Sequence, residues 1–310
     1  MRAEMLAIGR TQAEVSGNSA VQGLEVWAAG LSEEGRYADA ADAMTELVTA
    51  IRPHGPREGA LAWSLLAWIA ALNDAGRFDE ALSAFEIIVE MEAAEAANDS
   101  GPMACHLYSL IGYSQMLDAH GRGEQAAHVR QDALTLLTEL ADTGERKTRS
   151  GYQASFWAVL LTMSGADSDR PAPDVPRPPS GFEVMRWSPD TTQRYFDSRH
   201  ALREEVDALA SQATEDPDRH LAELVRLHRV LTVRSAVYWQ RTHLFVERVG
   251  TLFDDGVSLA RRLSQHDPVE GPRTLARLLT DRSTFHTATG AFRPALDDFR
   301  QALSYLDEAN

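Results

Sequence analysis

The stretch "AGRFDEALSAFEIIV", residues 75–89, recurs in outline along this 310-residue chain: "EGRYADAADAM" stands at 34–44, "TGAFRPALDDF" at 289–299, and a weaker "HGRGEQAAHV" at 120–129. Gly35, Gly76, Gly121 and Gly165 follow one another at intervals of 41, 45 and 44 residues, and Gly290 repeats the motif near the end. Eight residues before the first four glycines stand Trp27, Trp68, Tyr113 and Trp157; four before stand Leu31, Leu72, Leu117 and Leu161. Separations of four and eight lie on one helical face. Two residues after the glycine comes Tyr37, Phe78 or Phe292, with Gly123 the exception, and five after comes Ala40, Ala81, Ala126 or Ala295. The apolar spacing then continues at three and four, as in Ala81, Phe85, Ile88 and Val89, which predicts a second helix. The unit is helix, tight glycine turn, helix. Glycine suits a left-handed helix end, alanine lets two helices approach closely, and the aromatic is expected to fill the space between them.

This pattern resembles the tetratricopeptide repeat family, in the style of actinobacterial members. The matching residues are Trp68, Leu72, Gly76, Phe78, Ala81 and Phe85 in the second unit; the first has Trp27, Leu31, Gly35, Tyr37 and Ala40, with Met44 in the later aromatic position. The period exceeds the family's ~34 residues, so helices or connections are longer. The resemblance implies an all-α fold: antiparallel helix pairs stacked as a right-handed solenoid, here in two lobes. The expected organisation is an N-terminal segment (1–17), a first lobe (18–165), a linker (166–182) and a second lobe (183–310). The linker is read from "ADSDRPAPDVPRPPSG" at 166–181, whose five prolines cannot continue a helix. Beyond it, helical patterning resumes at 191–212, 220–240 and 245–263, with Thr242 where a turn glycine would stand.

Composition narrows the function classes. The net charge of −16 disfavours nucleic acid as a partner. It is uneven: residues 1–165 hold 11 basic and 23 acidic side chains, residues 166–310 hold 19 and 23. Nearly all basic residues are arginine, a coding signature of a GC-rich bacterial genome. The longest apolar run, "GALAWSLLAWIAAL" at 59–72, is shorter than the ~20 residues of a membrane span and reads as a buried helix. No secretory signal is visible, and the single Cys105, read as core filling, excludes an intrachain disulfide or thiolate cage. A cytoplasmic protein without membrane contact is expected.

Signatures of catalysis are missing from the sequence. There is no glycine-rich phosphate loop ending in Gly-Lys, no G-x-S-x-G elbow and no H-E-x-x-H pair. The paired histidines His120/His128 and His220/His228 are eight residues apart, too far to share an ion easily. No enzyme, cofactor or metal site is expected.

The resemblance implies a concave groove lined by first helices, where a partner peptide or helix binds. Groove candidates are Glu25 and Ala29; Trp63, Leu66, Ala70 and Asn73; and Tyr108, Ile111, Gln115 and Asp118. Trp63 and Tyr108 equally suit packing between repeats. With aromatics and acids but no basic clamp, the first lobe is expected to take an apolar or basic segment. In the second lobe Arg234 and Arg282 occupy the aromatic slot. Either each reaches solvent or a carboxylate such as Asp281, or the two form an anion site beside His286. Apolar Phe299, Ala302, Leu303, Tyr305 and Leu306 make the last helix either a cap or a homodimer surface. The favoured reading is a protein-interaction scaffold, and the alternative a ligand- or peptide-sensing regulator acting through a partner chain.

Overall fold

A computed structural model describes residues 24, 27–28, 30–32, 34–51, 60–97, 103–144, 189–239 and 242–308. Every regular element among them is an α-helix: α1 (Tyr37–Ile51), α2 (Ala60–Asp74), α3 (Phe78–Ala97), α4 (Met103–Ala119), α5 (Gly123–Thr143), α6 (Pro189–Glu215), α7 (Pro217–Trp239), α8 (Phe245–His266), α9 (Glu270–Ala288) and α10 (Phe292–Glu308). Helical residues between 24 and 32 precede α1. No described helix is long and apolar enough to cross a membrane. Trp157, Leu161, Gly165 and the Pro-rich segment lie outside the described residues.

The recurrent glycines mark one repeated turn. Gly35, Gly76, Gly121 and Gly290 have φ between +72° and +76°. In each turn the residue after glycine donates to a carbonyl five back: Arg36 to Leu31, Arg77 to Leu72, Arg122 to Leu117 and Ala291 to His286. The glycine itself donates three back, to Ser32, Asn73, Asp118 and Thr287. This paired closure satisfies carbonyls that a helix end would otherwise strand. It also explains the leucine of the pattern: its carbonyl closes the turn while its side chain is buried. Ala40, Ala81, Ala126 and Ala295 are likewise buried. Phe78 departs from its expected wedge role. It is 43% exposed and packs on the His120 ring, 4.2 Å between centroids and tilted by 34°.

The aromatic slot holds each unit to the helix before it. Trp68 Nε1 donates to Thr45 Oγ1 at 2.8 Å, joining α2 to α1. The Tyr113 hydroxyl donates to Glu86 Oε1 at 2.7 Å, joining α4 to α3. The arginines in this slot reach back in the same way. Arg234 donates to Ser198 Oγ on α6 at 2.9 Å, and Arg282 to Asp254 Oδ1 on α8 at 2.8 Å.

Neighbours follow chain order from α1 to α5 and from α6 to α10. The two runs then meet through their last members: α5 packs on α10, and α4 touches α9. Leu107, Leu110, Ile111, Ala133, Leu137 and Leu140 share one core with Phe292, Ala295, Leu296 and Phe299. The apolar face of the last helix is thus largely covered within the chain, with Phe299 and Ala302 fully buried.

Glu92 interrupts this apolar interior. It continues the buried stripe of Ala81, Phe85 and Ile88 on α3 and is only 4% exposed. Withdrawal from water, with the charge of Glu95, pushes its pKa from 4.5 to about 7. The unfolded chain releases this proton near pH 4.5 while the folded chain keeps it to about 7. Stability is therefore undiminished below pH 4.5 and is lost as pH rises through 7. Glu92→Gln is expected to stabilise the protein at pH 8 by roughly 2–3 kcal/mol and to leave it nearly unchanged at pH 4.5. Thermal denaturation at both pH values checks this; equal shifts would remove burial of the charge as the cause.

Candidate functional site

Where α4 and α5 meet α9, the packing leaves an open cleft of about 1140 Å³. Its lining carries five arginines, Arg122, Arg130, Arg229, Arg273 and Arg277, against the carboxylates of Asp118 and Glu124. The guanidiniums outnumber the carboxylates of the lining in a chain of net charge −16, while Asp79, Asp118, Asp281 and Glu270 pair with Arg122, Arg130, Arg229 and Arg273. A concave site with low-dielectric walls focuses such a field towards anions.

Arg273 and Arg277 are four apart on α9, so one face of that helix presents both, with Ala276 and Thr280 between and beyond them. Arg122 precedes α5, whose first turn has no side-chain cap hydrogen bond. The start of that helix, Gly123 to Gln125, borders the cleft, where its unsatisfied N–H groups favour negative charge. Arg130, one and a half turns further on, is tied to Asp118 of α4. Arg229 enters from α7. Its Nε donates to Asp281 Oδ2 at 2.6 Å and its Nη2 to Oδ1 at 3.2 Å. Gln115 Nε2 of α4 donates to the same Oδ1 at 3.2 Å. Asp281 is 1% exposed, so these donors take the place of water around its carboxylate. This three-residue link joins the helices that meet at the back of the cleft.

No protein-family model and no curated protein matches this chain.

Of the residues expected to line a ligand groove, Gln115 and Asp118 line this cleft. Asn73 lies at the end of α2, with Oδ1 3.4 Å from His120 Nε2. Tyr108 is fully buried, as are Leu66, Ala70 and Ile111, so these four belong to the core and not to a groove surface. Trp63 belongs to α2, and its side chain lies outside the described residues. Arg234 and Arg282 are held by separate partners. Arg282 binds Asp298 through Nε at 2.8 Å and Nη2 at 2.7 Å, and His286 Nε2 lies 3.7 Å from the same carboxylate. Burial lowers the His286 pKa, with Asp298 pulling the other way. Asp298, not Asp281, is thus the buried carboxylate that receives Arg282.

The arginines of the cleft escaped the sequence reading because they come from three separate regions: 122–130, 229 and 273–277. The available signal was the larger share of basic side chains beyond residue 165, 19 against 11 before it, together with Arg273 and Arg277 one turn apart. Neither says that α9 and α7 meet the α4–α5 turn.

Proposed function

We propose that the chain is a non-enzymatic, cytoplasmic interaction module that binds a partner protein by an acidic segment laid into the arginine-lined cleft. We read its helix pairs as tetratricopeptide-like units stacked in two lobes, with the cleft at their junction. The supporting observation is the gathering of five arginines around open space in an otherwise acidic protein. Arginine suits this role because its planar fork meets carboxylates two bonds at a time. Sequence expectation favoured an apolar or basic ligand; the charge of the cleft favours the opposite sign.

The test is fluorescence polarisation with a labelled octapeptide of Asp and Glu, against a Lys octapeptide of equal length. The acidic peptide is expected to bind at about 0.1 M salt and to weaken steeply as salt rises. Replacing both Arg273 and Arg277 by Glu is expected to lower its affinity by about tenfold or more. Equal binding of both peptides, or no effect of the double charge reversal, rejects the proposal.

The ligand-sensing alternative has one observation in its favour. Arg229 lines the cleft while holding Asp281, which also binds Gln115 of α4. An anion in the cleft competes with Asp281 for Arg229 and so acts on the link between helices. A sensor is expected to change hydrogen exchange in α4 and α9 when the acidic peptide binds; a passive scaffold is not.

A further inference from the structure

A second cavity, remote in sequence from the α4–α5 turn, lies among α6, α7 and α8. Helices α6 and α8 each pack on α7 but are not close neighbours of one another, so α7 forms a floor between them. The space above that floor is about 310 Å³, at the small end of ligand sites. Leu224 and Leu231 of α7 and Leu252 and Leu259 of α8 give it apolar walls. Its lining also carries charges of both signs, Arg203 and Asp207 from α6 and Asp255 and Arg262 from α8.

The floor also holds a buried polar group. His228 is 5% exposed and lines the cavity. Its Nδ1 lies 3.5 Å from Thr232 Oγ1, whose own hydrogen goes to the His228 carbonyl oxygen at 2.9 Å. In the tautomer that has Nδ1 donate to this hydroxyl, Nε2 is the acceptor nitrogen. Burial keeps the ring neutral by pushing its pKa down to about 4; Asp255 and Asp207 pull it up and Arg203 pushes it down. All three of those charges, like His228 itself, line the cavity. An acceptor nitrogen on the wall of a largely apolar cavity can receive an N–H group that a ligand brings.

The charges of the lining are sparsely used within the chain. Asp255 is exposed and has no ion pair among the described residues. Arg203 reaches Asp207 at 3.4 Å on its own helix, and Arg262 reaches the Ala213 carbonyl at 3.4 Å. The cavity thus offers apolar walls from the leucines and exposed charges of both signs.

We propose that this cavity binds a small zwitterion with an aliphatic body, its ammonium shared by Asp255 and His228 Nε2 and its carboxylate facing Arg203 and Arg262. An aliphatic amino acid has this chemistry. The site is independent of the arginine-lined cleft and stands whether or not that cleft binds acidic segments.

Isothermal titration of the full chain with L-leucine tests it. Isovalerate and isoamylamine serve as controls, each keeping a branched aliphatic body with one charge. L-Leucine is expected to bind one-to-one with a Kd on the order of 1 mM, and each analogue about tenfold or more weaker. Asp255→Asn, at an exposed position, is expected to weaken L-leucine by about tenfold while leaving the melting temperature unchanged. His228→Leu is expected to abolish binding, with thermal denaturation reporting whether that variant is folded. Absence of saturable binding at about 10 mM, equal binding of a singly charged analogue, or an unaltered Kd in Asp255→Asn overturns the proposal.

Discussion

Asp281→Ala is expected to destabilise the protein by about 3–5 kcal/mol, the largest loss anticipated for a single polar side chain here. The carboxylate receives two bonds from Arg229 and one from Gln115, and both members of the ion pair are nearly sealed from water, with side-chain exposures of 7% and 1%. Removing it leaves a guanidinium buried without its counter-ion, which costs far more than the net value of the pair. The proof lies in the second substitution. Arg229→Met in the same chain removes the stranded charge, and the double variant is expected to recover most of the lost stability. Urea denaturation of the two single variants and the double variant measures this. A loss below about 1 kcal/mol in Asp281→Ala would show that the carboxylate is not the joint described.

Gly271→Ala is expected to cost about 3 kcal/mol, at the upper end for overpacking. The reason is space, not backbone conformation. A Cβ at Gly271 would stand 2.5 Å from the Ser264 Cα and 2.8 Å from both the Ser264 nitrogen and the Leu263 carbonyl oxygen. These are main-chain atoms of α8, so no rotamer change relieves the clash. The turn between α8 and α9 is also pinned: Asp267 Oδ1 accepts from the Val269 and Glu270 amides at 3.0 and 2.9 Å, and Gly271 donates to the Asp267 carbonyl at 3.0 Å. The added methyl must push the start of α9 away from α8. Because Arg273 and Arg277 follow directly, acidic-peptide binding is expected to weaken along with the melting temperature. Gly256→Ala is the control, since its Cβ would meet only side-chain atoms, at 3.3–3.6 Å. Similar melting temperatures for the two variants would contradict the close α8–α9 approach.

The helix pairs were legible because their grammar is local. A glycine at positive φ, a leucine whose carbonyl closes the turn and an alanine at the contact are each required within a few residues of one another. The arginines in the aromatic slot were legible as a departure, and the structure gives them a physical equivalent: the slot reaches back to the preceding helix, by indole, phenol or guanidinium alike. What could not be read is which helices meet across the chain. The α5–α10 contact is made of Ala133, Leu137, Ala295 and Phe299, residues that would suit any apolar interface. Tyr108 was indistinguishable from a groove residue because helices α3, α5 and α9 enclose α4 on more than one side, so few of its positions face water. The cleft was invisible for the same reason: its arginines look like scattered surface charge until distant helices are brought together.

The docking of α10 on α5 has a consequence for how the protein is made. Helix α5 ends at Thr143, and its apolar cover is not translated until the final helix, Phe292–Glu308, emerges. At 5–20 residues per second the ribosome needs on the order of 10–30 s to cross that interval. Through that time Leu110, Ile111 and Leu137 lack the partner they hold in the finished chain. The central core thus closes only after α10 has been made, and a chain stopped before that helix leaves the apolar faces of α4 and α5 uncovered.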